Sequence, residues 1–253
     1  MHHKALIYCL LTLVCGAQLF GASFEENLAQ ILSQTGHKVK IIASKPLVGM
    51  NDMRIVNVEF SNATGSQRTP FLATADGKGA VIFNALFFSA NKEQNEAIIE
   101  SMLSEIDAFN QSKKNALLNA LFESFPSERF VEIPSKNKNA TQTTIIVSSP
   151  DCPYCREELA KLDKRLATSN VKMVIVPLNG QESYVRAQIL INELQKANTT
   201  ARKIEILKKI YAPSYQIPEK QKTIDTSFVA QNAEMVFKSG LIRSVPYIHI
   251  VGQ

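Results

Sequence analysis

Two cysteines, Cys152 and Cys155, lie where a buried strand runs directly into a helix, and this arrangement constrains the fold more than any other feature. Residues 143–148 form an apolar, β-branched run that predicts a buried strand, and a helical pattern follows the cysteines to about Leu166. Another apolar strand is predicted at 171–177. Strand, helix and strand in this order predict a right-handed βαβ unit that closes onto a parallel sheet.

The position of the cysteine pair predicts reactive thiols. Unpaired backbone N–H groups and the positive end of the helix dipole favour a thiolate at Cys152. Pro153 suits the first helical turn, where a missing N–H costs nothing, and it places Cys155 beneath Cys152. Asp151 is expected to oppose thiolate formation slightly. The spacing therefore predicts a disulfide that opens and closes without large backbone movement.

The N-terminus predicts export. Basic character at residues 2–4 precedes an uncharged run at residues 5–24, a pattern typical of a signal peptide, which we place at residues 1–22. Cleavage after Ala17 and cleavage after Ala22 both fit this pattern, and an uncleaved membrane anchor is the alternative.

Export determines which cysteines remain in the mature protein. Cys9 and Cys15 lie within the predicted signal peptide, so the exported chain keeps only Cys152 and Cys155. Two thiols three residues apart in an oxidising compartment face each other. They are the candidate catalytic residues and the candidate redox-active disulfide.

Other uses of a cysteine pair fit the sequence poorly. A structural zinc site needs two further ligands, and His37 and His249 are far apart and not in ligand spacing. Haem attachment needs a histidine after the second cysteine, where Arg156 stands. A purely structural disulfide over so short a loop would close little chain entropy. We therefore expect no metal and no cofactor.

Composition predicts a globular chain that does not bind nucleic acid. The 253 residues are 45% hydrophobic and 20% charged, enough to build a core. The formal net charge is +5, and no basic stretch is denser than Lys136 and Lys138. Such a charge is typical of a solvated surface, so nucleic acid is not expected as a partner.

Before the cysteine pair, the hydrophobic pattern predicts a short helix, a small antiparallel sheet and a long helix. The short helix is predicted at residues 24–34 and the long one at 92–125, where Pro126 ends it. The long helix suits a connector, and a bend or a domain boundary is expected in its polar stretch at 110–115. The predicted strands are residues 38–43, 54–60, 70–74 and 79–83, with a further strand at 129–133 after the long helix.

After the cysteine pair, a helical block precedes a proline at the start of the last strand. The sequence Ser244-Val245-Pro246 enters an apolar strand at 247–251, where a proline is tolerated at the first position. Taken alone, Pro246 is an ordinary strand-start proline, and its place after a cysteine helix unit favours a cis peptide bond instead. A cis bond would turn the Val245 backbone toward an incoming substrate chain. The predicted helices of the block are residues 183–195, 200–210 and 227–237.

These motifs resemble those of the exported thioredoxin-like disulfide proteins, most closely the DsbG and DsbC family. The resemblance rests on Cys152-Pro153-Tyr154-Cys155 after a buried strand, on the inserted helical block and on Ser244-Val245-Pro246. It implies an α+β fold with a cystatin-like dimerisation domain, a linker helix and a thioredoxin-like α/β domain that carries a helical insert. The corresponding ranges are a signal peptide at 1–22, a dimerisation domain at 23–108, a linker helix at 109–126, and a thioredoxin-like domain at 127–253 with its insertion at 179–239.

The resemblance also implies roles and partners. By this likeness Cys152 is the attacking thiolate and Cys155 the buried resolving thiol. The substrate-binding residues implied are Pro153, Tyr154, Val245 and Pro246. A periplasmic homodimer is implied, which acts on unfolded or misoxidised exported proteins and exchanges electrons with a membrane partner of DsbB or DsbD type.

Two departures from the family pattern leave alternatives open. DsbC and DsbG usually have threonine before the cis proline, whereas valine, as at Val245, is typical of DsbA-type oxidases, so an isomerase and a disulfide donor both fit. The chain ends at Gln253, where a thioredoxin fold still needs an edge strand and a closing helix, so the C-terminal end of the fold is expected to be missing. A redox-linked holdase chaperone is the alternative from another functional class.

Overall fold

The computed structural model describes residues 22–84, 88–178 and 180–252. The chain divides into two compact units, Met1–Asp107 and Ala108–Gln253. The predicted signal peptide lies outside the described residues except for Ala22. Among the helices of the described ranges, none is both long and apolar enough to cross a membrane. Helices and sheets are combined as in the predicted α+β class.

The first unit begins with a capped helix. Helix α1 spans Phe24–Ser33, one residue shorter than predicted. The Ser23 hydroxyl accepts a hydrogen bond from the Glu26 N–H, and the Glu26 carboxylate accepts one from the Ser23 N–H. This reciprocal capping satisfies N–H groups that have no partner inside a helix, so the sequence itself determines where α1 starts.

A four-stranded antiparallel sheet follows α1. Its strands are β1 Lys38–Leu47, β2 Met50–Asn62, β3 Gly65–Thr74 and β4 Ala80–Ile82. They pair in the order β1-β2-β3-β4, which confirms the predicted small antiparallel sheet. The first three strands are longer than predicted, because the hairpin pairing continues through polar residues that the hydrophobic pattern does not mark.

Both faces of this first sheet are covered. On β2, Val56 and Val58 pack against Leu28 of α1. Ile55 points to the opposite face, where it packs with Met102 of the second helix, α2 (Lys92–Glu123). Successive side chains of a strand point to opposite faces, so a sheet buried on both sides needs adjacent apolar residues such as these.

Helix α2 is continuous through residues 110–115, where the sequence predicts a bend or a boundary. The division between the two units falls inside this helix. It ends shortly before Pro126, because the residue before a proline avoids the α conformation. The domain ranges derived from the resemblance, 23–108, 109–126 and 127–253, stay predictions.

The second unit contains another four-stranded sheet. Its strands are β5 Val131–Ile133, β6 Thr143–Ser148, β7 Asn170–Ile175 and β8 Tyr247–Ile250. They pair in the order β5-β7-β6-β8, with β6 and β7 parallel and both outer strands antiparallel. The parallel pair confirms the predicted βαβ unit. β5 is shorter than predicted, because residues 127–129 form a 3₁₀ turn.

The helix after the cysteines is also shorter than predicted. The chain forms α3 Pro153–Ala160 and α4 Leu162–Arg165 in place of one helix to Leu166. At the break, the Lys161 N–H donates to two successive carbonyl groups, which tightens the turn. The inserted helices match the predicted block closely, and they are α5 Gln181–Gln195, α6 Thr200–Tyr211 and α7 Ser227–Phe237.

Helices cover both faces of the second sheet. Ile146 and Met173 point to the face that carries α3, α5 and α6. Ile145, Val147 and Val174 point to the other face, which carries α7 and the end of α2. The cysteine pair lies on the first of these faces, at the point where β6 leads into α3.

Candidate active site

Cys152 directly precedes helix α3, and its sulfur caps that helix. Its backbone is extended, with φ −78° and ψ 122°, and the Cys155 N–H donates to the Cys152 Sγ over 3.4 Å. Pro153 is the first helical residue. The Cys152 sulfur therefore lies at the positive end of the helix dipole, beside an N–H group that has no partner within the helix.

Cys155 lies one turn further along α3 and is more deeply buried. It is 1% exposed, compared with 5% for Cys152, and both are free thiols. Burial raises the pKa of Cys155 from 9.0 to about 12, whereas hydrogen bonds from the Ser149 N–H and the Ser148 hydroxyl act in the opposite direction. The Ser149 bond measures 3.4 Å from N to Sγ. The Cys155 thiol therefore keeps its proton at neutral pH.

The loop before β8 brings a second motif to the cysteines. The peptide bond between Val245 and Pro246 is cis, as predicted. β8 pairs antiparallel with β6, and Tyr247 lies opposite Val147. This register places the Val245 carbonyl oxygen 3.6 Å from the Cys152 Sγ, although the two residues are 93 positions apart in the chain. The fold thus brings together the two motifs that the sequence singles out.

The surface around Cys152 is formed by the predicted substrate-binding residues. The Tyr154 side chain is 68% exposed and Pro153 is exposed, while Val245 and Pro246 are half-buried. The exposed part of this surface is therefore Tyr154 and Pro153, next to the sulfur of Cys152 in the chain. Within the described ranges, no group of three or more His, Cys, Asp or Glu is placed to hold a metal ion.

Asp151, next to the first cysteine, is paired with an arginine of the insert. The Arg186 Nη1 donates to the Asp151 Oδ1 over 3.0 Å. The same guanidinium donates to the carbonyl oxygens of Ile210 and Ala212 over 2.6 Å each. A charged group with several aligned partners is held in one geometry, so Arg186 links the segment before Cys152 to the end of α6.

A buried tyrosine of the insert contacts the end of β6, four residues before Cys152. The Tyr211 side chain, at the end of α6, is 1% exposed, and burial raises its pKa. Its hydroxyl donates to the Ser148 Oγ over 2.7 Å. Ser148 directly precedes Ser149, whose N–H donates to the Cys155 sulfur, so the tyrosine hydroxyl binds the end of the strand that contacts the second cysteine.

Comparison with known proteins decides the family. Residues 28–118 match the model for the N-terminal domain of the disulfide isomerase DsbG. The solved structure of DsbG from Helicobacter pylori is 31% identical, and the alignment covers 88% of this chain and 99% of that one with a TM-score of 0.51. The chain belongs to the DsbG family. The likeness to DsbG also confirms the α+β, thioredoxin-like fold, which is that of thiol-disulfide oxidoreductases.

Two further solved structures are similar to about half of this DsbG-family chain. The catalytic domain of Proteus mirabilis ScsC is 17% identical, with 54% of this chain and 85% of that one covered and a TM-score of 0.41. A periplasmic thioredoxin-like protein from Salmonella enterica serovar Typhimurium is 17% identical, with 53% and 86% covered and a TM-score of 0.32. A search of curated proteins gave no match.

Sequence reasoning missed the insert residues that surround the pair in this DsbG-family chain. Arg186 and Tyr211 sit in ordinary helical patterns, and nothing local marks them as neighbours of a cysteine. Ser148 was part of a predicted strand, without a side-chain role. Arg186 lies between the buried residues Val185 and Ala187, and a charge between two apolar residues is a weak signal, since such a charge needs a partner.

Proposed function

We propose that this DsbG-family chain is a periplasmic protein thiol-disulfide oxidoreductase and isomerase that works through Cys152 and Cys155. The observation that carries the proposal is the contact of 3.6 Å between the Cys152 sulfur and the Val245 carbonyl oxygen. It places a sulfur at a helix start beside a backbone acceptor that an extended substrate chain can also use.

The exchange takes two steps. The Cys152 thiolate attacks one sulfur of a substrate disulfide, so that a mixed disulfide forms and the other substrate sulfur leaves as a thiolate. The Cys155 sulfur, after losing its proton, then attacks the Cys152 sulfur, which forms the Cys152–Cys155 bond and releases the substrate. Two electrons pass from the protein to the substrate, and the reverse sequence donates a disulfide.

The buried state of Cys155 favours isomerisation. Because its pKa is raised to about 12, only a small fraction of Cys155 is thiolate at neutral pH, so the second step is slowed. A mixed disulfide that persists gives other thiols of the substrate time to attack it. Such an attack rearranges the substrate without net transfer of electrons.

A Cys155→Ser variant of the full chain tests the proposal. Without the resolving thiol, mixed disulfides with exported proteins accumulate, and they appear as high-mass bands on non-reducing gels that vanish after reduction. The matched Cys152→Ser variant shows no such bands. Absence of trapped species in the Cys155→Ser protein would contradict the roles given to the pair.

The redox state of the pair decides the direction of electron flow. Alkylation of the protein trapped in the periplasm separates the two forms. A mainly reduced pair supports an isomerase served by a DsbD-type partner, and a mainly oxidised pair supports a disulfide donor served by a DsbB-type partner. The substrates are unfolded or misoxidised exported proteins in both cases.

A homodimer forms through the edge of the first sheet at β4. The other edge strand, β1, carries Lys38, Lys40 and Lys45, charges that discourage pairing of a strand with another chain. On β4, Val81 and Ile82 are each 61% exposed. An apolar edge opposite a charged edge supports association of two chains through β4.

A further inference from the structure

A carboxylate lies next to the first cysteine in the chain. Asp151 directly precedes Cys152, so their Cα atoms are about 3.8 Å apart. A negative charge this near opposes the negative charge of a thiolate, and the half-buried position of Asp151 weakens the screening that water provides. Unless it is compensated, the Asp151 charge therefore acts against the helix start that favours the Cys152 thiolate.

Arg186 of the insert is the partner of this carboxylate. Its Nη1 donates to the Asp151 Oδ1 over 3.0 Å, and the two side chains are 12% and 28% exposed. The other carboxylate oxygen, Oδ2, is buried and has no hydrogen-bond partner among the described residues. Within the described ranges, no second cationic side chain forms an ion pair with Asp151. Compensation of its charge therefore depends on this arginine.

The end of α6 fixes the position of Arg186. Its Nε and Nη2 donate to the Ile210 carbonyl oxygen over 2.9 and 2.6 Å, and Nη2 also donates to the Ala212 carbonyl oxygen over 2.6 Å. The last carbonyl groups of a helix have no N–H partner within it and carry the negative end of its dipole. Because these bonds hold a planar group with little freedom, the positive charge keeps one position relative to Asp151.

Other ionisable side chains around Cys152 are neutral or bonded elsewhere. Burial raises the pKa of the Cys155 thiol and of the Tyr211 hydroxyl, so both keep their protons near pH 7. The Arg156 guanidinium donates to the Asp151 backbone carbonyl oxygen over 3.4 Å and not to the carboxylate. The loop before β8 contributes an uncharged carbonyl group. The ion pair with the insert therefore decides how strongly the carboxylate acts on the sulfur.

We propose that Arg186 is a positioning residue for the first step of exchange. By pairing with Asp151, it neutralises the carboxylate, so that the helix start keeps Cys152 as the thiolate that attacks a substrate disulfide. The inference rests on the exchange chemistry proposed above. In this step the Cys152 sulfur bonds to one substrate sulfur, and the other substrate sulfur leaves with the electron pair of the broken bond. A helix of the insert thereby determines how much of Cys152 is thiolate at a given pH.

Alkylation of Cys152 by iodoacetamide, measured against pH in the full-length reduced protein, tests the inference. The reagent is uncharged, so a change of charge at the site does not alter its approach. Fragmentation of the labelled peptide in a mass spectrometer separates modification of Cys152 from that of Cys155. The profile is compared in wild type, Arg186→Gln, Asp151→Asn and the double variant. Arg129→Gln is the matched control, because Arg129 also donates to three acceptors, which all lie in α7.

The two single variants are expected to shift the profile in opposite directions. In Arg186→Gln the midpoint rises by about one pH unit, so alkylation below the midpoint slows about tenfold. In Asp151→Asn the midpoint falls by about half a unit, because an uncompensated cation remains. The double variant returns close to the wild-type midpoint, since both charges are gone. Arg129→Gln leaves the midpoint unchanged even where it lowers stability.

These signs distinguish compensation of charge from a purely structural role. If Arg186 served only to hold α6 in place, Arg186→Gln would lower the stability to urea while the midpoint stayed at the wild-type value, and the inference would be overturned. A midpoint that rises in both single variants would overturn it as well. Arg186→Lys keeps the charge but loses the fork of N–H donors, so it is expected to shift the midpoint less than Arg186→Gln while stability falls.

Two further results keep the outcome unambiguous. If Arg186→Gln does not fold, Asp151→Asn provides the test, because it leaves the bonds to α6 intact, and an unchanged midpoint there overturns the inference. Mixed disulfides trapped by Cys155→Ser report on the proposed function separately. Trapping without any shift of the midpoint overturns the inference alone, whereas shifts of the midpoint without trapping overturn the proposed function.

Discussion

The two sheets of this chain have the same number of strands but are assembled in opposite ways. In the first, each strand pairs with its neighbour along the chain, in the order β1-β2-β3-β4. In the second, β6 lies between β7, reached through the cysteine helix, and β8, which comes after the whole helical insert. Local pairing builds a surface from one continuous stretch, whereas non-local pairing brings distant segments to one strand end.

The difference explains where the chemistry lies. At the end of β6, the second sheet gathers Cys152, the Val245 carbonyl, Arg186 and Ser148 from separate parts of the chain. The first sheet is built from consecutive hairpins, and it contributes a buried core and an apolar edge. We therefore expect changes in the second sheet to affect the reactivity of the cysteines, and changes in the first sheet to affect stability and association of two chains.

The largest effect is expected at the buried thiol of the second sheet. In a Cys152→Ser variant, alkylation of Cys155 by iodoacetamide near neutral pH should be about a thousandfold slower in the folded protein than in urea, since its pKa is raised from 9.0 to about 12. The folded rate keeps rising with pH beyond 9, whereas the unfolded rate levels off near that value. Equal rates in both states would show that Cys155 is not buried as described.

The next effect concerns the exposed edge of the first sheet. Replacing Val81 and Ile82 together by lysine is expected to raise the dissociation constant of the proposed homodimer about a hundredfold, because like charges would meet across the paired edges. Sedimentation as a function of concentration measures it. The same pair of lysines should leave the rate at which the Cys152 thiol reacts with dithiobis(nitrobenzoate) unchanged. A dimer that persists at the wild-type affinity would show that the contact between the two chains lies elsewhere.

The smallest effect compares the two cores directly. Val58 in the first sheet and Val174 in the second are both fully buried. Truncating either to alanine is expected to lower the free energy of unfolding by about 2 kcal/mol, measured by urea denaturation. Only Val174→Ala should also alter the reaction of the cysteines as denaturant is raised. A Val58→Ala protein with slowed exchange in the absence of denaturant would contradict the separation of the site from the first sheet.

Much of the local structure could be predicted because the signals are local. The start of α1 is marked by its capping residues, and the strand before Cys152 by a run of buried β-branched residues. The errors lie at boundaries. The prediction of a continuous helix to Leu166 was wrong because the turn at Lys161 tightens, and side-chain periodicity does not mark such a turn.

The partners of the site could not be predicted in the same way. Arg186 is separated from Asp151 by two helices, a strand and a loop, and Tyr211 lies still further along the chain from Ser148. The local sequence around each of these residues does not indicate which distant residue it contacts. Their roles follow only when α5 and α6 are packed against the end of β6.

The amino-acid sequence alone determined the cysteine pair at a helix start, the strands and helices on either side of it, and the proline before the last strand. These features depend on backbone hydrogen bonding and on side-chain periodicity over a few residues. Only the tertiary structure decided which residues surround the two sulfurs, how deeply Cys155 is buried and which carbonyl faces Cys152. Burial and hydrogen bonding between distant segments depend on how the whole unit packs. It is burial that raises the pKa of the Cys155 thiol and so makes its reactivity differ from that of Cys152.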